Sequence, residues 1–364
     1  MVATVPSMIG QFNMNNIDIL MNLGYEVDVA ADFTDRSVWT DEKVYSFQEE
    51  LKSLGIESFQ LDFSRNALDL GRHIKSYKEV LDLIKEREYS FIHTHTPIAS
   101  AIVRLAAKKK HTKVIYTAHG FHFFAGAPLK NWLIFYPIEK FLSRWTDILI
   151  TITREDYNRA KKHFKAKRVE YIPGVGVDIK KFTPNLEGRK KIRNELGVND
   201  SRIVLLSVGE LNDNKNHIAV VDAIKEMDLT YVIVGQGKNH DMLIKRAQEL
   251  NVDLRLMGYR RDVTDFYNAA DVYVLPSIRE GLNVSLMEAM ATGLSVACGK
   301  IRGNVDLIED KRYLFAPLNV VEINNAISQA LNDKIKSGYN NQRKIEEFSD
   351  DTVRNLAQKI YSEI

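Results

Sequence analysis

The strongest constraint on this chain is a rhythm that runs twice. Short β-branched runs alternate with longer amphipathic ones, and the alternation stops once and begins again. The first series predicts strands at Val2–Val5, Glu26–Ala30, Glu57–Asp62, Phe91–His93, Lys113–Thr117, Asp147–Ile152 and Val169–Ile172. Helical spacing fills the intervals near 11–23, 43–54, 72–87, 97–109, 129–145 and 154–164. The break is the turn-rich stretch Pro173-Gly174-Val175-Gly176, which runs on to Pro184. The second series predicts strands at Ile203–Val208, Thr230–Val234, Asp253–Met257, Val272–Leu275 and Leu294–Ala297. Its helices fall near 187–196, 215–226, 238–250, 262–269, 284–291, 319–332 and 350–362. Parallel strands need a crossover between them, and a helix is the usual one. The expectation is an α/β chain of two doubly wound, Rossmann-like domains facing a cleft. They span 1–173 and 174–348, with 349–364 a C-terminal helix packing back on the first. A length of 364 residues suits two domains.

In open parallel sheets, ligands collect beyond the carboxyl ends of the strands. The strand ends are therefore where chemistry is sought. Ile203–Val208 runs into Gly209-Glu210-Leu211-Asn212-Asp213-Asn214-Lys215-Asn216. A glycine and a lysine before a helix can hold a phosphate through backbone N–H groups, the helix end and one ammonium. The same residues can equally be an Asn-rich turn with a solvated lysine. The P-loop spacing is absent. Thr230–Val234 ends in Gly235-Gln236-Gly237-Lys238, a second glycine turn. Val272–Leu275 ends in a loop holding Glu280, Gly281, Leu282 and Asn283, and Glu288 follows in the next helix. Gly281 would let a ligand approach the backbone, Glu280 can accept from sugar hydroxyls, and Glu288 can hold a ribose diol. Ser285-x-x-Glu288 also reads as a capping box. Tyr259, Arg260 and Arg261 either lie against a nucleobase or form a solvated basic turn.

In the first half, four of the nine histidines stand at two strand ends: His93 and His95 before Thr96, then His119 and His122. A metal site is a minor alternative there, because no carboxylate or cysteine accompanies them. Two of the four suit hydrogen-bonding core positions, and His119, followed by Gly120, suits a cleft.

These residues resemble a known family. Glu280-Gly281-Leu282-Asn283, with Glu288-Ala289-Met290-Ala291-x-Gly293, is similar to the Glu-x7-Glu signature of retaining GT-B glycosyltransferases, family 4. Gly209-Glu210-Leu211 with Lys215-Asn216 resembles its phosphate loop. HTHTP, YTAHGFHFF, PIEKFLSRWTDILITI and REDY resemble its capsule and exopolysaccharide branch, and the likeness covers nearly the whole chain. The resemblance implies a retaining transferase that moves a hexosyl or N-acetylhexosaminyl group from a UDP-sugar to a polyprenyl-diphosphate-linked saccharide. It implies Lys215 on the donor diphosphate, Glu280 and the backbone after Gly281 on the sugar, and Glu288 on the ribose. It implies His119 as the sugar contact from the first domain, with Gly10 approaching the diphosphate from a loop. Gly209, Glu210, Gly235, Tyr259, Arg260, Leu282 and Asn283 would complete the donor side; His93, His95, Thr96 and His122 would form the acceptor side. Glu210 stands where many members carry arginine, so Arg260, Lys238 or a helix end must supply the missing charge. Gly-Leu-Pro is also changed, to Gly293-Leu294-Ser295. No Asp-x-Asp occurs, so neither metal nor cofactor is expected. A GT-B-fold UDP-sugar epimerase and a non-catalytic nucleotide-sugar-binding partner are the alternatives.

The distribution of charge suggests where an anionic acceptor approaches. Residues 1–88 carry 9 basic and 16 acidic side chains, residues 89–175 carry 15 and 5, and residues 176–364 carry 26 and 27. A net charge of +2 and the lack of a recognition motif argue against nucleic acid. The basic block surrounds Trp132, Phe135, Tyr136, Phe141 and Trp145, a composition suited to an anionic membrane surface. A core helix flanked by solvated charge is the other reading. Cys298 is the only cysteine, which fits a reducing compartment. No secretory signal and no apolar run of transmembrane length is evident. The expected location is cytoplasmic, peripheral on the inner face of the cell membrane.

Overall fold

The structure is a computed structural model that describes residues 1–364, and it divides into two units. Met1–Val175 and Val353–Ile364 form the first; Gly176–Thr352 form the second.

The first unit holds six named strands, all paired in parallel: β1 (Asp28–Ala31), β2 (Glu57–Gln60), β3 (Phe91–Thr94), β4 (Lys113–Ala118), β5 (Ile148–Thr151) and β6 (Arg168–Tyr171). The strand expected at Val2–Val5 is reduced to one bridging residue. Val2 pairs with Ala30 on one side and Thr94 on the other. Val2 N–H donates to His93 O (2.8 Å), and Ala3 N–H donates to Ala30 O (3.1 Å). The segment thus joins β2–β1 to β3–β4–β5–β6 and marks where the strand order reverses. Pro6 cuts it short. It takes the first position of a helix, Pro6–Phe12, where its missing N–H costs nothing. A second helix, Met14–Asn22, follows a break at Asn13, so the single helix expected at 11–23 is two.

The second unit has β7 (Val204–Val208), β8 (Thr230–Val234), β9 (Asp253–Leu256), β10 (Val272–Leu275), β11 (Ser295–Gly299) and β12 (Leu314–Phe315). Their order is β12-β11-β10-β7-β8-β9, again parallel. β7 pairs with β8 through Val204↔Thr230 and with β10 through Val272↔Leu205. Strands buried on both faces read as continuous apolar runs, and VYVL and TYVIV are fully buried. A single core fills this unit, from Val204–Leu206 to Ile323 and Ile327.

The helix Lys334–Ile345, like the short helix Asn304–Leu307 and β12, has no counterpart in the sequence expectations. Its sequence, KIKSGYNNQRKI, reads as a loop because glycine and asparagine disfavour helix interiors. Gly338 is there for close approach: a Cβ on it would stand 2.1 Å from Gly293 O. Tertiary contact outweighs propensity at this position.

Candidate functional site

The order of the second sheet reverses between β7 and β10, so the loops after these two strands diverge to opposite faces and leave a crevice. Lys215 comes from one loop and Glu280 from the other. Lys215 Nζ donates to Glu280 Oε1 at 2.7 Å, and each side chain is 17% exposed. Asparagines on either side of Lys215 set this distance. Ile278 N–H donates to Asn214 O (2.8 Å), and Asn214 Nδ2 donates to Arg279 O (3.0 Å). Asn216 Nδ2 donates to Pro276 O (3.3 Å) and Pro317 O (2.7 Å). Lys215 N–H is capped by Asn212 Oδ1 at 2.9 Å. The asparagine-rich stretch is therefore a clasp between two strand-end loops. The sequence shows the asparagines, but it does not say which carbonyls they reach. Asn216 takes a left-handed φ of 55°, so the next helix starts at His217 and not at Lys215.

The glycines serve close packing. A Cβ on Gly235 would lie 1.8 Å from Gly209 O, and one on Gly209 would lie 3.1 Å from the Lys215 stem. The two glycine turns are thus pressed together, with Gly209 N–H donating to Val234 O (2.9 Å). Gly281 O is approached in the same way by Gly303.

Glu288 lies in the helix Val284–Ala291. The capping-box reading is corrected here. Asn283 is the N-cap, accepting from Leu286 N–H at 3.1 Å, and Ser285 is already inside the helix. Ser285 bonds instead to the Tyr273 hydroxyl (2.7 Å), Asn283 Oδ1 (2.7 Å) and Val208 O (3.2 Å). Glu288 is left to face the Tyr267 hydroxyl, which donates to its Oε2 at 2.7 Å. Burial raises the Glu288 carboxyl above its ordinary range, and the Tyr267 bond opposes that rise. Tyr267 is a positioning residue that sequence reasoning missed. It stands 21 positions before its partner, in the short helix Val263–Ala269, and packs edge-on against Phe182.

Two proposed compensating cations are already matched. Arg260 forks onto both Glu195 oxygens (2.6 and 3.0 Å) and also holds Asp262 (2.9 Å), which raises its own pKa and lowers that of Asp262. Lys238 pairs with Asp213 at 2.5 Å. Glu210 is exposed and follows Gly209 directly. Tyr259 is 72% exposed on the turn after β9, and Leu282 is partly buried.

In the first unit the histidines cluster, but mostly inside. His93 places both ring nitrogens in hydrogen bonds, Nδ1 with the Tyr361 hydroxyl and Nε2 with Thr117 Oγ1, each 2.8 Å. His95 Nδ1 meets His119 Nε2 at 3.2 Å. Burial drives all three rings toward the neutral form, His93 and His95 well below the usual value and His119 down to about 4. The acceptor-side expectation is corrected for His95, an interior residue 1% exposed. His93 and His119 line a small cleft together with Asn13, Asn16 and Thr117. Of these, His119 is the partly exposed histidine. Thr96 Oγ1 is spent on Thr4, at 2.6 Å from its hydroxyl and 2.8 Å from its N–H. His122 is exposed and stacks on Phe135, centroids 4.6 Å apart. Gly10 is not in a loop. It sits in the helix Pro6–Phe12, and a Cβ there would meet Trp39 at 2.5 Å, so the glycine makes room for an indole. No three His, Cys, Asp or Glu side chains converge as a metal-binding set.

A cation and a carboxylate thus meet on the two loops at this sheet's switch point, and a second carboxylate lies in the helix that follows. Comparison with known proteins identifies the class. Residues 15–181 match Glycosyltransferase Family 4, and residues 188–348 match Glycosyl transferases group 1; the chain belongs to these glycosyltransferases. The putative glycosyltransferase EpsD of Bacillus subtilis (strain 168) is 34% identical over 320 residues, 85% of this chain and 80% of that protein. An Escherichia coli UDP-Gal:alpha-D-GlcNAc-diphosphoundecaprenol alpha-1,3-galactosyltransferase is 27% identical over 310 residues, 78% of this chain and 80% of that one. The crystal structure of Anabaena HepE in complex with UDP matches at a TM-score of 0.79 and 19% identity, covering 100% of this chain and 99% of that one. The fold is GT-B, two Rossmann-like units with parallel sheets.

Proposed function

We propose that this chain is a retaining, metal-independent transferase. It moves a hexosyl or N-acetylhexosaminyl group from a UDP donor to a polyprenyl-diphosphate-linked saccharide, as a step in capsule or exopolysaccharide assembly. The observation that carries the reading is the Lys215–Glu280 pair on the two loops flanking the switch point, with Glu288 in the helix that follows. The E. coli relative is named for a UDP-sugar donor and a diphosphoundecaprenol-linked acceptor, and this supports both substrate classes.

The difficult step is departure of the nucleoside diphosphate, because negative charge builds on its phosphate oxygens. A fixed cation aimed there lowers the barrier. Lys215 supplies it. In the donor-free pair the ammonium is held by Glu280; a diphosphate competes for that ammonium and frees the carboxylate to accept from sugar hydroxyls. Glu288, oriented by Tyr267, accepts from the ribose. An oxocarbenium-like transition state is expected, as in glycosidases. The acceptor hydroxyl attacks from the leaving-group face, and Glu280 is not a covalent nucleophile. His119, kept neutral, offers a hydrogen bond to the sugar without adding charge. The protein works on the cytoplasmic face of the membrane; no helix is long and apolar enough to cross one.

The test is a panel of UDP-sugars with polyprenyl-diphosphate-sugar acceptors, read by mass spectrometry with and without EDTA. Transfer with retention, insensitive to EDTA and abolished in folded Glu280→Ala protein, is the expected result. Full activity of that variant overturns the site, and epimerised UDP-sugar without transfer overturns the reaction.

A further inference from the structure

The helix Leu129–Leu142 is inside out by the ordinary rule of amphipathic packing. Its aromatic side turns inward: Trp132 and Tyr136 lie against Phe123, with centroids 5.8 and 5.3 Å apart. Its aliphatic side turns out. Leu129, Leu133, Ile134, Ile138 and Phe141 are each between 47% and 72% exposed. At about 100° per residue they share one half of the helix circumference, with exposed Pro137 in the middle of it.

The charges follow the same division. The helix has one acid, Glu139, and it is turned inward onto Arg104 at 2.9 Å. Lys130 and Lys140 are exposed among the aliphatic residues. The exposed end of the neighbouring helix Pro97–Lys110 adds Lys108, Lys109 and Lys110, and Lys108 Nζ rests 3.9 Å above the Trp145 ring. No acid occurs anywhere from residue 89 to residue 138. The face is therefore apolar at its centre and cationic around it, and the segment that builds it carries no exposed acid.

We propose that this face docks on an anionic lipid bilayer, with the aliphatic residues entering the headgroup–acyl boundary and the lysines on lipid phosphates. The inference deepens the proposed lipid-linked acceptor and rests on that reading for its purpose. Charge complementarity selects the occupant. A second copy seated face to face would bring Lys130 and Lys140 of both chains together while desolvating them, which opposes association. Anionic headgroups neutralise those lysines, and acyl chains cover the aliphatic residues. The aromatic residues expected at the interface are mostly packed inward; the inserted groups are the leucines, the isoleucines and Phe141.

Co-sedimentation tests this with vesicles of phosphatidylcholine alone or mixed with phosphatidylglycerol. The wild-type chain is expected to bind the mixed vesicles and to lose binding as salt rises. The double variant Leu133→Glu/Ile138→Glu is expected to lose binding by about tenfold or more, with an unchanged Tm because both side chains are exposed. Lys130→Glu/Lys140→Glu is expected to remove the preference for phosphatidylglycerol. Absence of wild-type binding, equal binding to neutral and anionic vesicles, or undiminished binding by the folded Leu133→Glu/Ile138→Glu variant overturns the proposal. So does a wild-type dimer in light scattering that this variant dissociates. No nucleotide sugar enters the assay, so a failure of lipid docking and a failure of sugar transfer are separate results.

Discussion

Two ion pairs, one from each unit, do opposite work. Arg104 and Glu139 meet at 2.9 Å with side chains 1% and 10% exposed. The guanidinium has further partners: its Nε donates to Ser100 O at 3.0 Å, and its plane lies 4.6 Å from the Tyr116 ring centroid. Lys215 and Glu280 meet at 2.7 Å at the ends of two loops, each 17% exposed. One pair is enclosed and satisfied on several sides; the other holds a compact ammonium that a stronger anion can take. Enclosure makes an ion pair structural, because removing one member strands the other away from water. Access makes it exchangeable, which is what an anionic substrate requires.

The largest expected effect falls on the enclosed pair. Glu139→Ala leaves Arg104 buried and uncompensated, and should cost about 3–5 kcal/mol in denaturant unfolding. Arg104→Met with Glu139→Leu should recover most of it. A loss below about 1 kcal/mol would break the contrast. The open pair should respond in the other currency. Lys215→Ala should lower kcat by about 10²–10³-fold in the transfer assay, and its cost in unfolding should be smaller than that of Glu139→Ala, because Lys215 and Glu280 are less enclosed. If unfolding is hurt more than turnover, Lys215 belongs with the structural pair.

A smaller effect sharpens the donor side. Tyr267→Phe removes the hydroxyl that orients Glu288, so the donor KM should rise by roughly tenfold while kcat changes little. A fall in kcat with unchanged KM would place Tyr267 in a different role. The smallest effect concerns the first unit, whose histidines are held neutral. His119 titrates near 4 in the fold, below the ordinary value of 6.5. Its neutral-state stabilisation is complete above pH 6.5 and is lost as pH falls from there through about 4. Tm should decline over that window, and less steeply in His119→Gln. Equal slopes would mean that His119 does not couple folding to protons.

Legibility follows the range of the interaction involved. The loops after β7 and β10 were readable because glycine, lysine and glutamate follow directly on apolar runs. The capping box at Ser285 was a false lead, since a three-residue spacing fits two geometries and only the chain path decides that Asn283 caps. His93 and His95, two positions apart, fall on one face, with ring centroids 4.1 Å apart. Both faces of a doubly wound sheet are covered, however, so sharing a face does not tell an interior from a ligand-facing position. Gly10 shows the same limit: a glycine can serve a ligand or make room for an indole, and Trp39 is 29 positions away.

The sequence by itself determined two parallel α/β units and the strand ends where chemistry collects. Those features follow from hydrophobic period, turn residues and local charge, each encoded within a few positions. Tertiary structure alone decided which ends meet, because strand order sets that and period does not record order. It decided that Lys215 reaches Glu280, that Tyr267 holds Glu288, and that the leucines and isoleucines of residues 129–142 face outward. Each of these depends on a partner far along the chain, and distance in sequence carries no direct record of distance in space.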